Sequence, residues 1–482
     1  MRRTAFAFGG ATLVALVLGT SPAPAAAGTD DRSAPPERTD RLFPGLGNAG
    51  YDVERYDLDL RMTGRMRDPL LGGRVSITLR TTKPLRRVSF DLVGGRVGSA
   101  SVDGVPAGVA RAGEKLIVTP ETRLASGSST TIEIRYSVRP HARIPRSASG
   151  FAAGWSTSVD GVAFTGQPDR GHAAFPCNDL PSDAAAMSFR LSVPRGLTAI
   201  ANGALIRRER VGRRTIFSWR LDHAIPPELT ALGIGRFRIA ATRPEGRVKI
   251  RHAIGARVSH TARDRVHDTA RELRWLTDRL GPYPFEQYGV LLVPGSIDGS
   301  ALETATMSTF ASNTLDGRGA RGARGAIEIL AHELVHQWFG DWVRPRTWSD
   351  LWLNEGHATY WGTRYSATVT GTIPAWTREF GGYRASRADH DRAGDGPPAR
   401  PRSAKRLFGA TRYEGGALVL LALERRVGEA RFLRIERRFL RRFGGSTATT
   451  GDYIDTAVEV AGPSIRPFLE RWLYAPTTPV AR

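Results

Sequence analysis

The sequence predicts an α+β fold: an N-terminal all-β saddle or sandwich followed by a mainly helical domain. Three observations predict it. From Tyr51 to about Arg243, short runs alternate apolar and polar residues between glycines and prolines. After about Gly246 the apolar period lengthens to that of a helix. The chain has 482 residues, 41% of them hydrophobic and 24% charged, which is enough apolar material for a large core in three domains or fewer.

The N-terminus carries a leader pattern. Arg2 and Arg3 precede a mostly apolar stretch over 5–19, and Ala25-Ala26-Ala27 follows as a small-residue cleavage site. Residues 1–27 are therefore expected to be a secretory signal peptide, and the mature protein is expected to be extracellular. The stretch is too short for a membrane span, and no other apolar run approaches about 20 residues, so stable membrane insertion is not expected after cleavage. Residues 28–44 are polar, contain Pro35 and Pro36, and read as a flexible lead-in.

Residues 45–245 form the expected β domain. Tyr56–Met62, Val75–Leu79 and Thr131–Tyr136 alternate with period two, the pattern of half-buried strands in antiparallel sheets. Residues 246–482 form the second domain. Val266–Leu280 reads as an amphipathic helix stopped by Gly281-Pro282, and Tyr288–Val293 as a strand. Further helices are expected over 327–339, 354–368 and 416–427. The glycine- and arginine-rich segment 317–325 and residues 392–402 read as loops.

Charge and cysteine content exclude several functions. The formal net charge is +22, with 69 Lys+Arg against 47 Asp+Glu. The basic residues are scattered, so a basic surface is expected without a nucleic-acid partner; a purely binding role on that surface is the alternative from another class. Cys177 is the single cysteine, which excludes an intrachain disulfide and a thiolate metal site. It reads as a small buried residue rather than a nucleophile.

The chemistry lies in His332-Glu333-Leu334-Val335-His336. On a helix, positions four apart share a face, so both imidazoles can reach one metal ion while Glu333 stays beside it, free to handle a proton. Glu355 follows His336 after 18 intervening residues, in Trp352-Leu353-Asn354-Glu355-Gly356-His357-Ala358. Two histidines and one acid, with a fourth position open to water, describe a catalytic zinc site with one Zn²⁺ per chain. His357 is two residues along the helix from Glu355, faces away from it, and is expected to pack.

These residues resemble the gluzincin aminopeptidases of the aminopeptidase N type. The segments His332–Trp342 and Trp352–Ala358 match that family's zinc signature. The resemblance extends to Gly50-Tyr51-Asp52-Val53, to Phe175-Pro176-Cys177-Asn178-Asp179 with Pro181, to Gly281–Phe285 and to Phe468 with Trp472-Leu473-Tyr474, over about residues 45–478. It implies a short, two-domain form with a thermolysin-like catalytic domain. It also implies hydrolysis of the N-terminal peptide bond of peptides with a free N-terminus, His332, His336 and Glu355 as zinc ligands, and Glu333 as base then acid.

Three further roles are implied. Ser300-Ala301-Leu302-Glu303-Thr304 stands where the family has a G-x-M-E-N strand; Glu303 keeps the carboxylate that pairs with the substrate ammonium, while the Gly, Met and Asn are replaced. Gln167 falls where a second amine contact is placed. Tyr413, in Tyr413-Glu414-Gly415-Gly416, matches a tyrosine that donates its hydroxyl to the tetrahedral intermediate; Gly415 stands where a basic residue is common. Longer family members carry further C-terminal domains over the active site. This chain ends about 125 residues after Glu355, and a more open cleft is expected. A zinc endopeptidase, or another hydrolase on the same site, is the alternative reading.

Overall fold

The structure, a computed structural model, describes residues 40–479 except 152, 159, 295, 296, 298, 299, 318 and 372, with backbone alone at 320, 321 and 373–380. The expected signal peptide at 1–27 and residues 28–39 lie outside the described residues. A sheet-rich first part leads into a helical second part, as the periodicities predict.

Strands Tyr51–Arg65 and Asp68–Thr81 pair antiparallel within a ten-stranded sheet. Tyr56, Leu58, Leu60 and Met62 point into the core, each 2% exposed or less, while the alternate Asp57, Asp59 and Arg61 do not. The expectation of purely antiparallel sheets is corrected here. Arg55–Arg61 pairs in parallel with Ala186–Ser192. Parallel neighbours need a crossover, and the strands between Val88 and Thr165 supply it.

Two smaller sheets carry site residues. In a four-stranded sheet, strand Gly161–Thr165 pairs with Leu232–Gly235 and ends two residues before Gln167. In a third sheet, Lys249–Gly255, Val290–Val293 and Ser308–Ala311 run parallel, and the short edge strand Ala301–Leu302 pairs antiparallel with Thr309–Phe310. That edge delivers Glu303. The expected strand over 288–293 is present in two pieces, Gln287–Tyr288 and Val290–Val293. The expected domain boundary near 245–246 falls in the turn between Phe237–Ala241 and Lys249–Gly255, which pair with each other.

The helices are α1 (His260–Arg265), α2 (Thr269–Leu280), α3 (Gly319–Val335), α4 (Trp352–Val369), α5 (Ile373–Ala393), α6 (Glu414–Val427), α7 (Glu429–Phe443), α8 (Thr450–Ala461) and α9 (Ile465–Tyr474). The expected helix over 266–280 is α2, joined to α1 by a tighter turn at Val266–Asp268. The expected loop at 317–325 is corrected: from Gly319 onward it is the start of α3. Tertiary contacts override the glycines' low helix propensity. The Arg265 guanidinium donates to the carbonyls of Leu315, Gly317 and Gly322, which ties the start of α3 to α1.

The lead-in expectation is also corrected over residues 40–44. Leu42, Phe43 and Leu46 are buried against Trp348, Leu351 and Leu407, and an Asp40 carboxylate oxygen accepts from the Trp348 N–H at 2.7 Å. Apolar burial and this bond fix the segment in place. No helix among the described residues is long and apolar enough to cross a membrane.

Candidate functional site

The site is set where α3 ends. The helix stops at Val335, four residues earlier than the pattern over 327–339 predicts. Gly340 adopts φ +131, a conformation open to glycine and strained for other residues. The chain then folds back, with the Asp341 N–H bonding the His336 carbonyl at 3.0 Å and the Val343 N–H the Trp338 carbonyl at 3.1 Å. His336 stays one turn from His332, its N–H 3.3 Å from the His332 carbonyl. Its ring Nδ1 donates to the Phe339 carbonyl at 3.1 Å, which turns the Nε2 lone pair inward.

Helix α4 brings the third residue. A Cβ on Gly362 would lie 3.0 Å from the Glu328 carbonyl oxygen and 3.0 Å from the His332 nitrogen, so a side chain there would push α4 away from α3 by a few tenths of an ångström. Glu355, 2% exposed, then faces both histidines. Its Oε2 is 3.3 Å from His332 Nε2 and 3.4 Å from His336 Nε2, and the two nitrogens are 3.1 Å apart. The three atoms form a nearly equilateral triangle. A tetrahedral ion with bonds of about 2.0–2.1 Å needs ligand atoms about 3.3–3.4 Å apart, so the set fits zinc in size and chemistry. Glu355 Oε2 is also buried without a hydrogen-bond partner, as expected of an atom meant for a cation.

Glu333 sits beside the triangle. It is 5% exposed, and its Oε2 is buried without a partner. Burial pushes its carboxyl well above the usual range; the charge of His336 opposes this, and those of Glu303 and Glu355 add to it. Burial also pushes Glu355 upward, but the two imidazoles facing it, His336 foremost, prevail and hold it at about 2. The surroundings thus favour the protonated form of Glu333 and the charged form of Glu355.

Glu303 and Gln167 meet although 136 residues separate them. The Gln167 amide donates to Glu303 Oε1 at 2.5 Å. Glu303, Glu333 and His336 each place a ligand atom within 4.8 Å of the others, so Glu303 stands at the C-terminal end of α3. Gln337 pins it there. Its Nε2 donates to the Glu303 carbonyl at 3.2 Å, while its Oε1 accepts from the Thr306 N–H at 2.8 Å and from the Tyr283 hydroxyl at 3.2 Å. Tyr413 stacks on the His332 ring, with centroids 6.1 Å apart and planes at 12°. Burial, with the carboxylates of Glu355, Glu303 and Glu333 around it, keeps its hydroxyl protonated.

All seven residues singled out from the sequence, His332, Glu333, His336, Glu355, Glu303, Gln167 and Tyr413, line one cleft of about 370 Å³. His357 lies elsewhere: its Nδ1 donates to the Leu353 carbonyl at 2.7 Å, and its ring stacks on Phe339 at 4.0 Å. Cys177 is fully buried. The sequence reading missed Gln337, which is within the zinc signature but carries no diagnostic spacing, and the cleft walls Phe151, Glu328, Tyr383, Phe408 and Glu414. The last five come from separate segments, and no local motif marks them.

Comparison with known proteins gives a consistent family. The peptidase M1 N-terminal domain matches residues 52–226, and the peptidase family M1 domain matches residues 265–472. A leucyl aminopeptidase of Saccharolobus solfataricus is 28% identical over 341 residues, 67% of this chain and 42% of its own length. A leukotriene A-4 hydrolase of Xenopus laevis is 26% identical over 298 residues, 58% of this chain and 46% of its own length. The chain thus spans less than half the length of these two relatives. Among solved structures, a mutant M1 zinc metallopeptidase of Deinococcus radiodurans bound to a Tyr-Ser-Ala substrate superposes with TM-score 0.81 at 29% identity, covering 92% of this chain and 98% of that one.

Proposed function

The chain belongs to peptidase family M1, and from that premise we propose that it is a zinc aminopeptidase releasing residues one at a time from the free N-terminus of peptides. The single observation that carries the proposal is the triangle of His332 Nε2, His336 Nε2 and Glu355 Oε2 beside the buried, unpartnered oxygen of Glu333. His332, His336 and Glu355 would hold one Zn²⁺, which when bound supplies Lewis acidity and lowers the pKa of a water toward ~7.

The chain's own residues do the rest. Gln167 and Glu303 receive the substrate ammonium: Glu303 brings the negative charge, and the Gln167 amide fixes its orientation. This pairing is a ruler, because it allows only one residue between the amine and the reacting carbonyl. Glu333 takes the proton from the attacking water and passes it to the leaving amine, acting first as base and then as acid. Tyr413 donates its hydroxyl to the oxygen on which negative charge develops. The pattern of Arg2, Arg3, the apolar stretch and Ala25–Ala27 supports export of the protein from the cell.

The test is Glu303→Ala assayed together with zinc content. Release of the first residue should collapse while zinc stays at one per chain, and N-acetylated peptides should resist the wild-type enzyme. Rapid internal cleavage of acetylated peptides would replace this reading with an endopeptidase.

A further inference from the structure

The catalytic cleft continues past the reacting carbonyl. Glu303 marks the end of the cleft that receives the amine, at the C-terminal end of α3. The cleft runs from there along α3 toward its N-terminus, past His332 to Ile329, Glu328 and Gly325. Glu328 is one turn before His332 on the same face, about 6 Å along the axis. Thr359, one turn after Glu355 on α4, lines the same stretch, as does Glu414, the neighbour of Tyr413. A substrate anchored at Glu303, with its first carbonyl at the metal triangle, therefore lays its second residue against Glu328 and Glu414.

The chemistry of this wall is anionic and pre-set. Glu328 Oε1 accepts from the Thr363 hydroxyl at 2.5 Å and from the Tyr383 hydroxyl at 3.4 Å. These bonds hold the carboxylate in the cleft wall. Glu414 Oε2 is buried without a hydrogen-bond partner. Among the described residues no arginine or lysine pairs with either carboxylate, although the chain carries 69 such cations. Two acids lining one cleft repel each other, and burial with Glu328 nearby, against the opposing charge of His390, holds the Glu414 carboxyl above its ordinary range. A positive side chain arriving between them would remove that repulsion and gain charge-assisted hydrogen bonds.

We propose that Glu328 and Glu414 form an acidic subsite that selects peptides with arginine or lysine as their second residue. The proposal rests on the aminopeptidase reading and deepens it by naming a substrate class. The Arg or Lys side chain of that second residue would lie against both acids while its backbone nitrogen, the leaving amine, stays beside Glu333.

The experiment compares the zinc-loaded full chain on Leu-Arg-Ala-Ala, Leu-Ala-Ala-Ala and Leu-Glu-Ala-Ala, reading free leucine. The expected kcat/KM is highest for the arginine peptide, at least about tenfold over alanine, with glutamate lowest, and the difference resides mainly in KM. In Glu328→Gln and Glu414→Gln the arginine-to-alanine ratio should fall toward one. Glu328→Lys should bring the glutamate peptide above the arginine peptide. If one variant does not fold, the other supplies the ratio. Equal release from all three peptides by the wild type overturns the subsite alone, as does a preference that survives both substitutions to glutamine. No free leucine from any peptide overturns the aminopeptidase reading and the subsite with it.

Discussion

Two of the histidine–carboxylate clusters among the described residues differ in how their polar atoms are turned. In the sheet-rich part, His172 places Nδ1 2.6 Å from Asp179 Oδ2 and Nε2 3.4 Å from Glu114 Oε2. Each ring nitrogen faces an acid, so protons and acceptors alternate. Asp179 Oδ2 also accepts from the His172 N–H, and the Asp179 N–H donates to Asp91. In the helical part, two imidazole nitrogens and one carboxylate oxygen point at one another across 3.1–3.4 Å. Three acceptors that converge with no donor between them call for a cation. Residue types are alike in the two clusters, although the Glu114 side chain is 39% exposed where Glu355 is buried; the direction of the lone pairs separates a structural tie from a set that fits a cation.

Several experiments would break or sharpen that contrast. The largest effect is expected for Glu333→Gln, which should lower kcat by at least about 10³-fold while leaving zinc at one per chain, measured by turnover alongside metal analysis. Tyr413→Phe follows, with a loss of about 10²–10³ in kcat and little change in KM, as the proposed contact of its hydroxyl with the developing charge requires. Chelation should abolish activity and lower the melting temperature, and added zinc should restore both. Removing zinc should leave the His172 cluster intact, visible as an unchanged imidazole resonance.

The smallest effect belongs to His172, through stability alone. Burial disfavours its charged form, but the bonds to Asp179 and Glu114 prevail and raise its pKa to about 9. A folded pKa above the unfolded value of about 6.5 means the stabilisation is fully present below about pH 6.5 and is lost as pH rises through about 9. Its size is on the order of 3 kcal/mol. Melting curves should show wild-type stability falling across that window, and His172→Gln should flatten the slope. An equal slope in the variant would show that another group carries the dependence.

The contrast also explains what the sequence could reveal. His332, Glu333 and His336 are legible because helix periodicity turns a five-residue string into a face. Glu355 is legible as the one acid of the Trp352–Ala358 segment. Glu303, Gln167 and Tyr413 have no local spacing to identify them; they were reached through family resemblance alone, and long-range pairing brings them together. The His172 cluster was not legible, since Glu114 and Asp179 are placed by the pairing of distant strands. The parallel pairing of Arg55–Arg61 escaped for the same reason. The start of α3 was misread because four glycines suggest a loop, and only the Arg265 contacts reveal otherwise. Helix α7 could have been found, since Phe432, Ile435 and Phe439 recur at helical spacing and are buried on one face.

The central claim is that His332, His336 and Glu355 hold one zinc ion beside an unliganded Glu333. Metal analysis of the wild type, Glu355→Ala, Glu333→Ala and Glu303→Ala tests it most directly, because Glu303, Glu333 and His336 form a second group of potential ligands within 4.8 Å of one another. The account predicts one zinc per chain in the wild type, Glu333→Ala and Glu303→Ala, and almost none in Glu355→Ala. Zinc kept by Glu355→Ala and lost from Glu333→Ala would contradict it.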